Sequence, residues 1–124
     1  MNKEVRTFLI DLARNRTNQT ITYQKLSDKL NLDLDMQEPH HRKMIGEILG
    51  EISEFEFENG RPLLSSLVIR LGDLDSGNGF FKLAEDLGFG GWKFLKDNYF
   101  QEERITETIN FWSNGPNYAK YYNI

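Results

Sequence analysis

The run His40-His41-Arg42-Lys43 gathers both histidines of the 124-residue chain beside two cations. Pro39 stands just before it, and proline suits the first turn of a helix. Four such side chains at a helix start face free N–H groups and the positive end of the helix dipole, an arrangement that holds an anion such as a phosphate. The same run also reads as a solvated helix start, or as a group for metal or acid–base work. Ser65-Ser66 carries two hydroxyls in an apolar stretch, which reads either as plain strand or as the lining of a small pocket. With no Cys at all, thiolate nucleophiles, disulfides, Fe–S clusters and Cys-ligated zinc are excluded. Asp73-Leu-Asp75-Ser-Gly77-Asn-Gly79 has the outline of a calcium loop, but the sixth position is Asn and the twelfth is Ala84. Turn chemistry accounts for it better. Gly88-Phe-Gly90-Gly91 lacks the following Lys-Ser/Thr of a phosphate-binding loop. Asp73/Asp75 and Glu85/Asp86 are paired carboxylates without diagnostic spacing. The expectation is a protein that is not an enzyme and needs no cofactor or metal.

The elements that hold these residues follow from periodicity. Val5, Phe8, Leu9 and Leu12 fall at helical spacing and predict a first helix from Asn2 to Asn15. Thr20-Ile21-Thr22 is a short β-prone piece, and Thr22 is a cap for a helix carrying Leu26 and Leu30. A loop over 31–38 leads to a third helix from Pro39 to about Phe57, with Met44 or Ile45, Ile48, Leu49, Ile52 and Phe55 buried. Gly46 and Gly50, four apart on that helix, suggest close approach of another backbone. Leu63 to Leu71 reads as a buried strand, and 72–79 as a glycine-rich loop. A short helix with Phe80, Leu83 and Leu87 inward stops at Gly88. A last amphipathic helix is expected over 97–112, carrying Ile105, Ile109 and Trp112. Tyr118, Tyr121 and Tyr122 sit in a tail that either packs back or frays.

The order helix, short strand, helix, helix, strand and glycine-rich loop is that of a winged helix. The expected fold is therefore α+β, mainly helical: one winged-helix-like domain over residues 1–113 with a C-terminal helical extension, and an aromatic tail over 114–124. Ile21-Thr22-Tyr23-Gln24-Lys25-Leu26, Arg42-Lys43-Met44-Ile45-Gly46 and Pro62 to Ile69 together resemble the DNA-binding domain of alkylguanine-DNA alkyltransferases and alkyltransferase-like proteins. Residues 20–81 also resemble the N-terminal module of certain bacterial HNH endonucleases, through Thr20 to Leu26, His41-Arg42, Leu49-Gly50, Gly60 to Ile69 and Gly77-Asn78-Gly79-Phe80. Ser65 and Ser66 stand where an alkyltransferase has its Cys and His, which excludes alkyl transfer. The His cluster and Cys pairs of an HNH nuclease are absent. What the resemblance implies is a binding module, with Tyr23 at the place of a tyrosine that crowds a DNA phosphate. Lys43 takes the place of an arginine that fills the gap left by a flipped base, and lysine lacks the planar guanidinium that stacks there. Tyr23 also reads as half-buried core.

Charge divides the chain. Residues 1–50 balance at +1 and residues 51–124 at −5, within a net charge of −4. Two functions from different classes follow. One is a small bacterial or phage DNA-binding protein that contacts duplex phosphates through Tyr23, His40, His41, Arg42 and Lys43, with Arg6, Arg14, Arg16, Lys25 and Lys29 extending a basic face. The other is an immunity- or inhibitor-type module. Its acidic face, with Glu51, Glu54, Glu58 and also Glu56, joined by 97–107, would mask a basic nucleic-acid-handling partner. No apolar run approaches the ~20 residues of a membrane span, and charges interrupt the N-terminus before a secretory signal forms. The expected setting is the cytoplasm, with no membrane partner.

Overall fold

In the computed structural model, which describes residues 1–70 and 78–124, seven helices surround a two-stranded sheet of two residues per strand. The chain is mainly helical α+β. Helix α1 spans Lys3–Ala13, and Asn2 caps it by accepting from the Val5 N–H at 3.0 Å. Strand β1 is Ile21–Thr22 and α2 is Tyr23–Lys29, whose start Thr22 caps through the Lys25 N–H at 3.3 Å. Helix α3 runs Pro39–Glu58. Twenty residues at 1.5 Å per residue make it roughly 30 Å long.

The stretch expected as one buried strand instead forms a 3₁₀ turn, Leu64–Leu67, followed by strand β2, Val68–Ile69. An apolar run bounded by turn residues cannot be told from a helical piece by periodicity alone. Here the three-residue period brings Leu64 and Leu67 to one side, both fully buried in the main core, while the intervening serines serve two neighbouring helices. The turn packs on α1, α3 and α6. Strands β1 and β2 pair in parallel, with Ile21 opposite Val68 and Thr22 opposite Ile69. Parallel neighbours need a crossover, and α2 with α3 supplies it.

Beyond the undescribed residues come α4, Asn78–Asp86, α5, Trp92–Asp97, α6, Phe100–Ser113, and α7, Gly115–Tyr121. The expected glycine-rich loop over 72–79 lies mostly outside the described residues, and its last two positions open α4. In α4 the buried residues are Phe80, Phe81 and Ala84, with Leu83 and Leu87 half-buried. Gly88, at φ +96°, ends it, with N–H bonds from Gly88 to Glu85 and from Phe89 to Ala84. The single helix expected over 97–112 is broken at Asn98-Tyr99. There the Asn98 side chain donates to the Phe94 carbonyl at 2.7 Å and Tyr99 takes φ +61°, so α5 closes before α6 begins. The chain after Ser113 is a helix packed on α6 and α1, not a loose tail.

Two apolar clusters result. The larger joins Val5, Leu9 and Ile10 of α1, Leu26 of α2, Leu34 of the following loop, Ile45, Leu49 and Ile52 of α3, the 64–68 segment and Trp112. The smaller holds Leu63, Phe80, Phe81, Ala84, Leu95 and Phe100. On α3 the buried positions are Ile45, Leu49, Ile52, Ser53 and Glu56, so Met44 is exposed and Ile48 and Phe55 are half-buried.

Candidate functional site

Most polar side chains buried in this fold are spent on structure, Arg104 Nε and Trp112 Nε1 being without a hydrogen-bond partner. Glu56, fully buried near the end of α3, accepts from Arg6 Nε at 2.9 Å and from Arg61 Nε at 2.8 Å. The second nitrogens of both guanidiniums reach it at 3.4 and 3.2 Å. Two cations on one carboxylate leave an excess of positive charge. The carbonyls of Tyr121 and Tyr122, at the C-terminal end of α7, each take an Arg6 N–H at 2.9 Å. Those carbonyls carry the negative end of a helix dipole, which is the charge the pair lacks. Phe55 and Tyr121 lie 5.2 Å from the Arg61 guanidinium, each ring presenting its face. Arg6 is thus withdrawn from the expected basic face, and Glu56 from the expected acidic one.

The serine pair is likewise internal. Ser65 Oγ lies 2.6 Å from Ser53 Oγ, and Ser66 Oγ 3.3 Å from Thr108 Oγ1. Gln101 Nε2 holds the Ser66 carbonyl at 2.8 Å. Both hydroxyls are partnered inside the core, and neither residue lines the groove between the end of α3 and α6. The pocket reading of Ser65 and Ser66 is corrected: they tie the 3₁₀ turn to α3 and α6.

The basic run stands at the exposed start of α3. No side chain caps this end. His41 Nδ1 accepts from the Asp35 N–H at 2.9 Å, and Arg42 donates to the Met36 carbonyl at 2.7 Å. These two residues therefore close the preceding loop onto the helix. His40 and Lys43 are exposed, and so are Arg16, Lys25 and Lys29. Arg14 lies over the Tyr118 ring at 4.1 Å and donates to the Trp112 carbonyl, so it fastens α7. Tyr23 is half-buried against the main core. Gly46 and Gly50 meet no neighbour: a Cβ added at either finds nothing within 4 Å. The backbone expected to approach them is not there, and the helix presents a smooth open surface instead.

Glu51, Glu54 and Glu58 are exposed on the second half of α3, with Glu51 Oε2 3.6 Å from the N-terminal ammonium. Beyond them lies an open groove of about 960 Å³ between the end of α3, the 60–62 turn and α6. Phe57, Pro62, Phe89 and Phe111 line it, with Glu102, Glu103 and Glu107 of α6. Sequence reading missed this groove because Phe89 belongs to a glycine-rich break and Phe57 to a helix end. Only the fold sets their rings 5.4 Å apart.

Among the described residues no three His, Cys, Asp or Glu side chains gather where a metal ion could sit, and no helix is long and apolar enough to cross a membrane. No family model matches the sequence, and no curated protein or solved structure matches the chain.

Proposed function

We propose that the protein binds duplex DNA through the exposed first half of α3. The observation that carries this reading is that α3 is charged against its own dipole. Its first turn has no acidic residue and its last turn no basic one. Arg42 and Lys43 stand at the positive end, while the exposed Glu54 and Glu58 stand at the negative end. Each misplaced exposed charge costs roughly 0.3–1 kcal/mol in helix stability. A local rule broken without return to the helix is expected where a partner supplies the return. A phosphate at the start of α3 meets a cation, free N–H groups and the dipole together.

Three further features support the reading. Over its first ten residues α3 buries only Ile45, leaving Lys43, Met44, Gly46 and Glu47 exposed. The open surface over Gly46 and Gly50 admits a sugar–phosphate backbone to van der Waals contact with the helix. The resemblance of Ile21 to Leu26, Arg42 to Gly46 and Pro62 to Ile69 to the alkyltransferase DNA-binding domain points to the same helix, and the order of elements fits a winged helix. Lys25 and Lys29 of α2 and Arg16 add exposed cations, with Tyr23 in support. Arg42 and His41 act indirectly, by holding the 31–38 loop against the helix start.

Fluorescence anisotropy of a labelled duplex, titrated at 50 and 200 mM salt, tests the site. Binding should weaken steeply with salt, at a slope near −0.9 per phosphate neutralised. Lys43→Ala is the clean variant, because Lys43 holds nothing else in place, and it should lower the slope by about 1. Arg42→Ala would also release the Met36 carbonyl and confuse folding with binding. Affinity and slope unchanged in Lys43→Ala would remove the site from α3.

A further inference from the structure

The groove at the far end of α3 has an apolar floor and an acidic rim. Phe57, at 39% exposure, is one of the few large apolar side chains left open to solvent among the described residues. Its ring meets Phe89 edge-on at 5.4 Å, and Phe111 and Pro62 continue the floor. Of the two cations that touch the groove, one is fully engaged and the other only by ring and longer ionic contacts. Arg61 is turned onto buried Glu56, and Arg104 lies 4.9 Å from the Phe100 ring centroid. Arg104 makes only long contacts to Glu103 and Glu107, at 3.7 and 3.8 Å. Those two carboxylates are about half exposed or more, at 64% and 49%, and Glu102 beside them has no cation among the described residues. Glu58, exposed, follows Phe57 at the helix end.

A volume of about 960 Å³ lies at the top of the range for small-molecule pockets, yet this one is open along its length rather than enclosed. An open apolar trough with carboxylates on one wall fits a peptide better than a compact ligand. We propose that it docks a basic amphipathic segment of a partner protein. An aromatic or aliphatic anchor of that segment sits among Phe57, Phe89 and Phe111. Flanking Lys or Arg side chains meet Glu102, Glu103 and Glu107. Charge complementarity selects this occupant: a second copy of the chain would bring its own excess of acid, at a net charge of −4. The site lies at the opposite end of α3 from the DNA surface and does not depend on it.

The probe is a fluorescein-labelled amphipathic peptide of Leu and Lys with one Trp, beside a counterpart with Glu in place of every Lys. Anisotropy gives affinity and ¹H–¹⁵N spectra of the full chain give location. The Lys peptide is expected to bind and to shift the amides of Phe57, Phe89, Phe111 and Glu103, while the Glu peptide does not. Glu103→Lys/Glu107→Lys should weaken binding about tenfold or more, with thermal melting confirming that the variant folds. Phe57→Ser should weaken it at high salt as well, where rim charges are screened. Lys43→Ala should leave peptide binding unchanged, so that this site and the DNA surface stand or fall separately. Equal binding of both peptides would overturn the proposal, as would shifts at Glu51 and Glu54 instead of the groove. So would a dimer seen by light scattering that Phe57→Ser disperses, since a second copy would then be the occupant.

Discussion

Glu56→Gln removes one charge and reverses one hydrogen-bonding group at the centre of a buried trio. In the native chain the carboxylate accepts four N–H contacts between 2.8 and 3.4 Å, two from Arg6 and two from Arg61. The amide keeps one acceptor oxygen and turns an NH₂ donor onto a guanidinium donor. Each carboxylate oxygen takes one N–H from each arginine, so the remaining amide oxygen leaves Arg61 one hydrogen bond beside the faces of Phe55 and Tyr121, while Arg6 also retains the Tyr121 and Tyr122 carbonyls. Breaking a buried pair on one side leaves an uncompensated charge, at a cost of about 3–5 kcal/mol. A chain of 124 residues has on the order of 6–19 kcal/mol of total stability, so the loss is a large fraction. With a urea slope of about 1–3 kcal/mol per molar, the midpoint should fall by roughly 2 M at unchanged slope. Urea unfolding followed by far-ultraviolet circular dichroism reads this directly. Replacing Arg6, Glu56 and Arg61 together by Met should recover most of the loss, since no buried charge then remains unpaired. A Glu56→Gln loss below about 1 kcal/mol would refute the reasoning and show that water reaches the trio.

The open surface of α3 and the C-terminal tyrosines give two more tests. Gly46→Ala and Gly50→Ala should each raise stability by up to about 1 kcal/mol in the same urea assay, because Ala is the better helix former and its methyl meets nothing; a loss in either would show that something covers that face. The Tyr122 phenol is pushed up from 10.0 to about 12 by burial, by its hydrogen bond to Asp11 and that carboxylate's charge, and by Tyr118. Because the folded value lies above the unfolded one, the stabilisation is complete below pH 10 and is lost as the pH rises through about 12. Tyrosine-selective ¹³C NMR titration should show one phenol ionising near pH 12, and Asp11→Asn should bring it part of the way back. Ordinary ionisation of Tyr122 in the native chain would argue against the packing of α7 on α1.

Local rules acted wherever a residue needed only its near neighbours. Asn2 and Thr22 start their helices by accepting an N–H three residues on, and Pro39 supplies a fixed φ where the first N–H has no partner anyway. Gly88 stops α4 because its φ of +96° is strained for any other residue. The sequence by itself therefore determined α1, α2, α3, α4 and α6 in outline, the short first strand and the basic start and acidic end of α3, but neither α5 nor α7. It could not determine what pairs across the chain. Arg6 and Glu56 are fifty residues apart and look like two more surface charges until folding brings their side chains together. Ser65 and Ser66 look like strand until Ser53 and Thr108 come within reach of their hydroxyls. The same holds for the groove, whose aromatic floor comes from α3, the 88–91 break and α6. Each of these depends on burial, and burial is a property of the packed elements rather than of any window of residues. Tertiary structure decided which charges were withdrawn into the core, and so which were left to meet a partner.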